Sequence, residues 1–284
     1  MAKVSVVSLN KESRRTESNK YKGYPFLANG EKNDYPTMIE LLVGGSATAK
    51  ACAGVIADFI YGKGFSLEAE ARATARQQCT RFRKDTLYIN DKRETPNDLL
   101  KKVARSLSYH RGVFVQVNYN QLFQKTSVQV LPYRYCRLGA RDSNNYRGKV
   151  LYYENWDNLQ DKKEVDKNVK AIDLYDPSPK VIQEQVDAAG GWDNYKGQVY
   201  FLNLDRNDSY PLAWADVVLL DCESEMLSTK YTRNGFKKGF FGTYAFVTST
   251  MNSDEDREDF RENLRNSIGV EAEQSVFHFE LEMK

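Results

Sequence analysis

The residues best suited to catalysis are few, and their spacing gives them no partners. His110 stands at a helix-to-strand turn and His278 in an alternating strand. Neither lies in the HExxH spacing that sets two imidazoles on one helix face around a metal. There is no GxSxG, so no strained turn presents a serine nucleophile. A Ser-His-Asp site needs convergence in space, which spacing alone does not reveal. No GxxxxGK[ST] loop is present to cradle phosphate, and Gly62-Lys63-Gly64 reads as a helix exit. Asp254, Glu255, Asp256, Glu258 and Asp259 crowd the start of a charged helix, where carboxylates stabilise the helix dipole. Cys52, Cys79, Cys136 and Cys222 are far apart without a CxxC pair, so a paired-cysteine zinc site is not expected. The reading is a chain with no catalytic residues, no metal site and no cofactor.

The cations offer a different chemistry. Lys230, Arg233, Lys237 and Lys238 gather at the end of the longest helical run. They either complement the negative end of that helix or touch nucleic-acid phosphates weakly and without sequence preference. Arg72, Arg76, Arg81, Arg83 and Lys84 make a second basic helix over 68–84, read as a solvated face. Arg134, Arg137, Arg141 and Arg147 lie in a polar stretch between two strands.

The elements that must position these groups follow from periodicity. Residues 1–35 are polar and read as a flexible N-terminal arm. Pro36 opens a short helix that Gly44-Gly45 ends. Ser46 caps a second helix through Tyr61, whose Ala49, Cys52, Ala53, Ile56, Phe59 and Ile60 are expected to face the core. Thr95-Pro96-Asn97-Asp98 starts a helix to about Tyr109. Strands are expected at 113–118, 126–131, 150–156, 171–175, 198–204, 244–248 and 275–282. Pro179–Ala189 reads as a helix ended by Gly190-Gly191, and Asp254–Ser267 as another. The polar run 157–170 marks a module boundary, so 157–209 reads as a small α+β insertion. A long helix is expected from Tyr210-Pro211 to about Arg233, stopped by Asn234-Gly235.

Composition bounds the function. With 284 residues there is length for one large or two small domains. Lys plus Arg number 41 against 39 Asp plus Glu, which excludes a wholly basic DNA-coating protein but leaves room for a local patch. The eighteen Tyr suit either strands or shared, wet surfaces. No apolar run approaches a membrane span, and no signal peptide opens the chain, so a cytoplasmic site of synthesis and no membrane partner are expected.

Four stretches, in order, resemble the portal proteins of tailed bacteriophages and prophages. The first is Asn33-Asp34-Tyr35-Pro36 with its helix and the exit Phe59-Ile60-Tyr61-Gly62-Lys63-Gly64-Phe65. The second is the capped helix at Pro96 followed by His110-Arg111-Gly112-Val113-Phe114-Val115-Gln116-Val117. The third is Val130-Leu131-Pro132-Tyr133-Arg134-Tyr135-Cys136-Arg137, and the fourth Tyr210-Pro211-Leu212, a long helix, then Asn234-Gly235-Phe236. The resemblance implies an α+β fold: a mixed α/β wing over 36–156 and 236–284, a clip-like insertion over 157–209 and a stem helix over 210–235. It implies a ring of identical subunits, usually twelve, at one capsid vertex of the virion. Double-stranded DNA would pass through it during packaging and ejection. The terminase packaging motor, the major capsid protein and head-tail adaptor proteins would be its partners. Lys230, Arg233, Lys237 and Lys238 would face that DNA. Portal subunits are usually longer, and the chain is expected to lack a C-terminal part. Two alternatives stay open: another phage head-tail structural or adaptor protein, and a nucleic-acid-processing enzyme.

Overall fold

The computed structural model describes residues 24–65, 88–156, 167–205, 209–238, 244–249, 253–268 and 276–281. The arm over 1–23, the basic helix expected at 68–84 and most of the polar run at 157–170 lie outside the described residues. The chain divides into two compact units, Met1–Cys222 and Glu223–Lys284.

In the first unit, α1 (Tyr35–Gly45) and α2 (Ala47–Tyr61) meet at Ser46 with a bend of 104°. The Ser46 side chain accepts from the Ala49 amide at 3.0 Å, which caps α2 as its sequence implies. The Gly44-Gly45 pair does not stop α1 short; both residues remain helical and the bend comes after them. Helix α3 (Pro96–His110) opens on a capping box in which Thr95 and Asp98 satisfy each other's amides.

The sheet has six strands: β1 (Gly112–Tyr119), β2 (Lys125–Leu131), β3 (Cys136–Leu138), β4 (Lys149–Tyr152), β5 (Lys170–Leu174) and β6 (Gln198–Asn203). Their order is β2-β1-β6-β5-β4-β3. All pairs are antiparallel except β5 with β6, the two strands joined through helix α4 (Pro179–Ala189). Phe114 on β1 packs on one sheet face with Val150, Ile172 and Val199, while Val117 and Tyr119 pack against Ile182 and Val186 of α4 on the other. Burial on both faces explains why β1 reads as an apolar run as much as an alternation.

The structure departs from the sequence pattern in several places. Residues 24–35 are no free arm: Phe26 is fully buried and bridges to Gly139, extending the sheet beyond β3. The apolar run Tyr24-Pro25-Phe26-Leu27-Ala28 supplies the reason, since leaving it in water would forfeit its burial. The stretch holding Arg134 and Arg137 is not merely a polar connection; it contains a 3-10 turn (Tyr133–Tyr135) and strand β3. The 157–209 segment is not a separable insertion, because β5 and β6 occupy the middle of the sheet. The expected stripe of α2 is only partly covered: Ala49 and Ala53 are buried, but Cys52 is exposed and Phe59 is 83% exposed. Full cover is confined to these two small residues, while Ile56 and Tyr61 are half-buried and Lys101 of α3 lies 5.4 Å from the Tyr61 ring centre.

The long helix also shifts. Tyr210–Ala213 is extended, Trp214–Val218 is a 3-10 turn, and α5 spans Leu219–Lys238. Asn234-Gly235 lies inside it, since Gly235 keeps helical backbone and the helical hydrogen bonding carries on. In the second unit β7 (Tyr244–Ser249) and β8 (Val276–Leu281) pair in parallel, with α6 (Asp254–Ile268) between them in sequence. The terminal strand therefore has a partner.

Candidate functional site

Parts of all four stretches singled out in the sequence meet in one buried node; the exit over 59–65 and Asn234-Gly235-Phe236 are not among those parts, and Phe59 and Phe236 are exposed. Arg137 on β3 is 1% exposed. Its Nε donates to Asn33 Oδ1 at 2.5 Å and its Nη2 to the Asn33 carbonyl at 2.7 Å. Its Nη1 donates to the carbonyls of Arg134 and Cys136 at 2.9 and 2.8 Å. The guanidinium also lies 5.3 Å from the Trp156 ring centre. A buried charge is tolerable only when its donors are met in this way.

The Tyr35 hydroxyl donates to Asp216 at 3.0 Å and accepts from the Ala213 amide at 3.1 Å, tying α1 to the segment that leads into α5. The Tyr210 hydroxyl donates to the Leu27 carbonyl at 3.0 Å and accepts from the Leu138 amide at 2.6 Å. Gly112 sits where a Cβ would come within 2.9 Å of the Tyr133 ring and 3.0 Å of Pro211. The Trp214 indole donates to the Ser108 carbonyl. Residues of the first, second, third and fourth stretches thus touch one another, although they span most of the first unit.

His110 closes the node toward solvent. It stacks on Tyr133 with centroids 4.4 Å apart and lies 3.2 Å from Glu40. Burial holds its imidazole pKa down, with the Glu40 hydrogen bond opposing. Burial pushes the Tyr133 phenol well up and the Cys136 thiol up, so both stay neutral. The node is fitted to hold elements together. Among the described residues no three His, Cys, Asp or Glu side chains gather as a metal-holding group.

The node opens onto a cleft of about 590 Å³ between α3 and the Val130–Arg134 segment. Its walls carry Lys50, Lys92, Lys102, Arg105 and Arg134, with Glu40 as the one carboxylate. Lys102 pairs with Glu94 beside the cleft, which holds the Glu94 carboxyl below its ordinary range. Arg134 reaches Glu40 at 3.4 Å. The sequence does not reveal this cleft, because its cations come from four separated places that only the fold assembles.

The predicted DNA-facing set lies on α5. Positions 230, 233 and 237 are spaced i, i+3, i+7 and so share one helix face. Lys230 and Arg233 are exposed and Lys237 is half-buried. Arg233 and Lys237 line a shallow hollow with Thr229, Thr232 and Phe236, which Lys230 does not join. Lys238 ends the helix, and its side chain lies outside the described residues. Acids fill the start of α5, with Asp221 in its first turn, and bases fill its end, as the helix dipole favours.

No protein-family model matches the chain, and no curated protein matches it. Among solved structures it is similar to a chain in the neck of an empty gene transfer agent particle, computed with C6 symmetry. That match has a TM-score of 0.46 at 9% identity, covering 82% of this chain and 55% of the other. It is also similar to a chain in the virion of a native gene transfer agent particle, with a TM-score of 0.45 at 8% identity, covering 82% and 54%. The chain spans about half the length of these neighbours.

Proposed function

We propose that the chain is a portal-type subunit of a tailed-phage-like particle. Identical copies close into a ring at one capsid vertex, and double-stranded DNA passes through it during packaging and ejection. The packaging motor, the major capsid protein and head-tail adaptor proteins dock on the ring. The observation that carries this reading is the convergence of residues from each of the four portal-like stretches in the Arg137–Asn33–Tyr133–Tyr210 node. Four weak motifs scattered over a surface would be coincidence. Four that interlock behave as the kernel of one fold.

In this reading α5 is the stem helix, and Lys230, Arg233 and Lys237 meet passing phosphates. A conduit needs contacts that are weak and blind to sequence, and a near-neutral chain suits that need. Strong neutralisation of many phosphates would release counterions and hold the DNA in place. Native mass spectrometry of the purified chain tests the oligomer. A single closed species of about a dozen copies supports the reading, whereas a monomer or a dimer at every concentration overturns it.

A further inference from the structure

We infer that the basic cleft of one copy receives the acidic face of helix α6 from a second copy. The inference rests on the ring reading above and names the contact that would build the ring. Five cations, Lys50, Lys92, Lys102, Arg105 and Arg134, stand around one cleft against the single carboxylate of Glu40. Lys50, Lys92 and Arg105 are exposed, and none is paired with a carboxylate among the described residues. Within their own unit Arg105 lies 5.8 Å from the Tyr109 ring centre and Lys92 acts on Glu94 only through its field, so neither contact matches the charge with a carboxylate partner. Such a concentration of one sign in a concave site is a field waiting for its complement.

The complement lies on the same chain. Helix α6 carries Glu255, Asp259 and Glu262 at i, i+4, i+7, and all three are exposed. That spacing sets them in one row about 10 Å long. Over Asp254–Glu262 there are six carboxylates and two arginines, a surplus that mirrors the surplus of cations in the cleft. Stabilising the dipole of α6 requires acids only in its first turn. Asp259 and Glu262 lie beyond it, so the dipole leaves them unexplained. The cleft's facing walls and volume match a pocket for side-chain ends more than a track for a duplex, which favours a helix edge over nucleic acid. A cleft of one copy that takes a helix of the next joins two different surfaces, and such a heterologous contact is the kind that closes into rings.

Charge-swapped variants mixed together test this. One variant carries Lys50→Glu, Lys92→Glu and Arg105→Glu; the other carries Glu255→Lys, Asp259→Lys and Glu262→Lys. All six positions are exposed, and unchanged thermal unfolding of each variant checks that folding is intact. Mass photometry then reads self-association at low salt. Each variant alone should associate on the order of a hundredfold more weakly than the unaltered chain, because the contact sets like charges together. An equimolar mixture should recover association to within about tenfold, since each cleft then meets an opposite helix. Recovery on mixing cannot arise from a contact within one chain. The inference is overturned if either variant assembles like the unaltered chain, or if the mixture stays dissociated. It is also overturned if the cleft variant assembles normally but loses affinity for duplex DNA. Intact rings from unaffected variants would sink the contact and leave the ring reading standing. Mixing recovery with open chains instead of closed rings would do the reverse.

Discussion

Arg137 is the residue on which the account leans most, and its role makes a firm demand. Replacing it by Met leaves the carbonyls of Asn33, Arg134 and Cys136 without their donor. Each unsatisfied buried group costs about 1–3 kcal/mol, so the chain should lose about 3 kcal/mol or more of stability. Lys at this position should restore less than half, since an ammonium cannot fork to several acceptors. Urea unfolding followed by far-ultraviolet circular dichroism measures both, and a loss under about 1 kcal/mol would remove Arg137 from the centre of the node. His110 makes a second demand. Its folded pKa is held down by burial, while in the unfolded chain it takes a proton near pH 6.5. Below that pH the unfolded state binds more protons, so stability is fully present above about 6.5 and falls as the pH drops below it. His110→Gln should flatten the stability profile between about pH 6.5 and 5, above the range where carboxylates titrate. An unchanged slope would mean that His110 does not resist protonation. Neither role could be read in the sequence. Arg134, Arg137, Arg141 and Arg147 are alike in pattern, and only the fold brings Asn33 to one of them.

At the scale of elements, local chemistry was readable and long-range pairing was not. The caps at Ser46 and Thr95 and the glycine exits at Gly62 and Gly190 lie where the sequence places them, because each acts within a few residues of itself. Strand β3 was missed because three residues are too few to show an alternation. The ends of α5 were misread for a different reason. Pro211 and Asn234-Gly235 are permissive signals, and packing decides whether they are used. The polar run at 157–170 looked like a boundary because polarity does not reveal that the strands after it return to the centre of the sheet. Deleting residues 157–209 removes β5 and β6 and leaves β1 and β4 without their inner partners. The remainder should lose cooperative unfolding, seen as a broad, featureless thermal transition. A sharp transition near that of the whole chain would restore the separable insertion. Thr95→Ala gives a smaller test of local chemistry, with an expected loss of about 1 kcal/mol from the broken capping box.

At the scale of the whole molecule, the proposal is a ring whose stem helices carry a repeated basic face. Arg233→Glu with Lys237→Glu should leave ring formation intact and weaken duplex DNA binding. The slope of log affinity against log salt should fall by about 2 for each copy engaged, as two phosphate contacts are lost. Binding that keeps its strength and slope would reduce these cations to partners of the helix dipole. The ring itself is the central claim, and imaging tests it most directly. Negative-stain class averages of the purified chain should show closed rings with a central hole and rotational symmetry. Compact single particles without a hole, across concentration and ionic strength, would contradict the account.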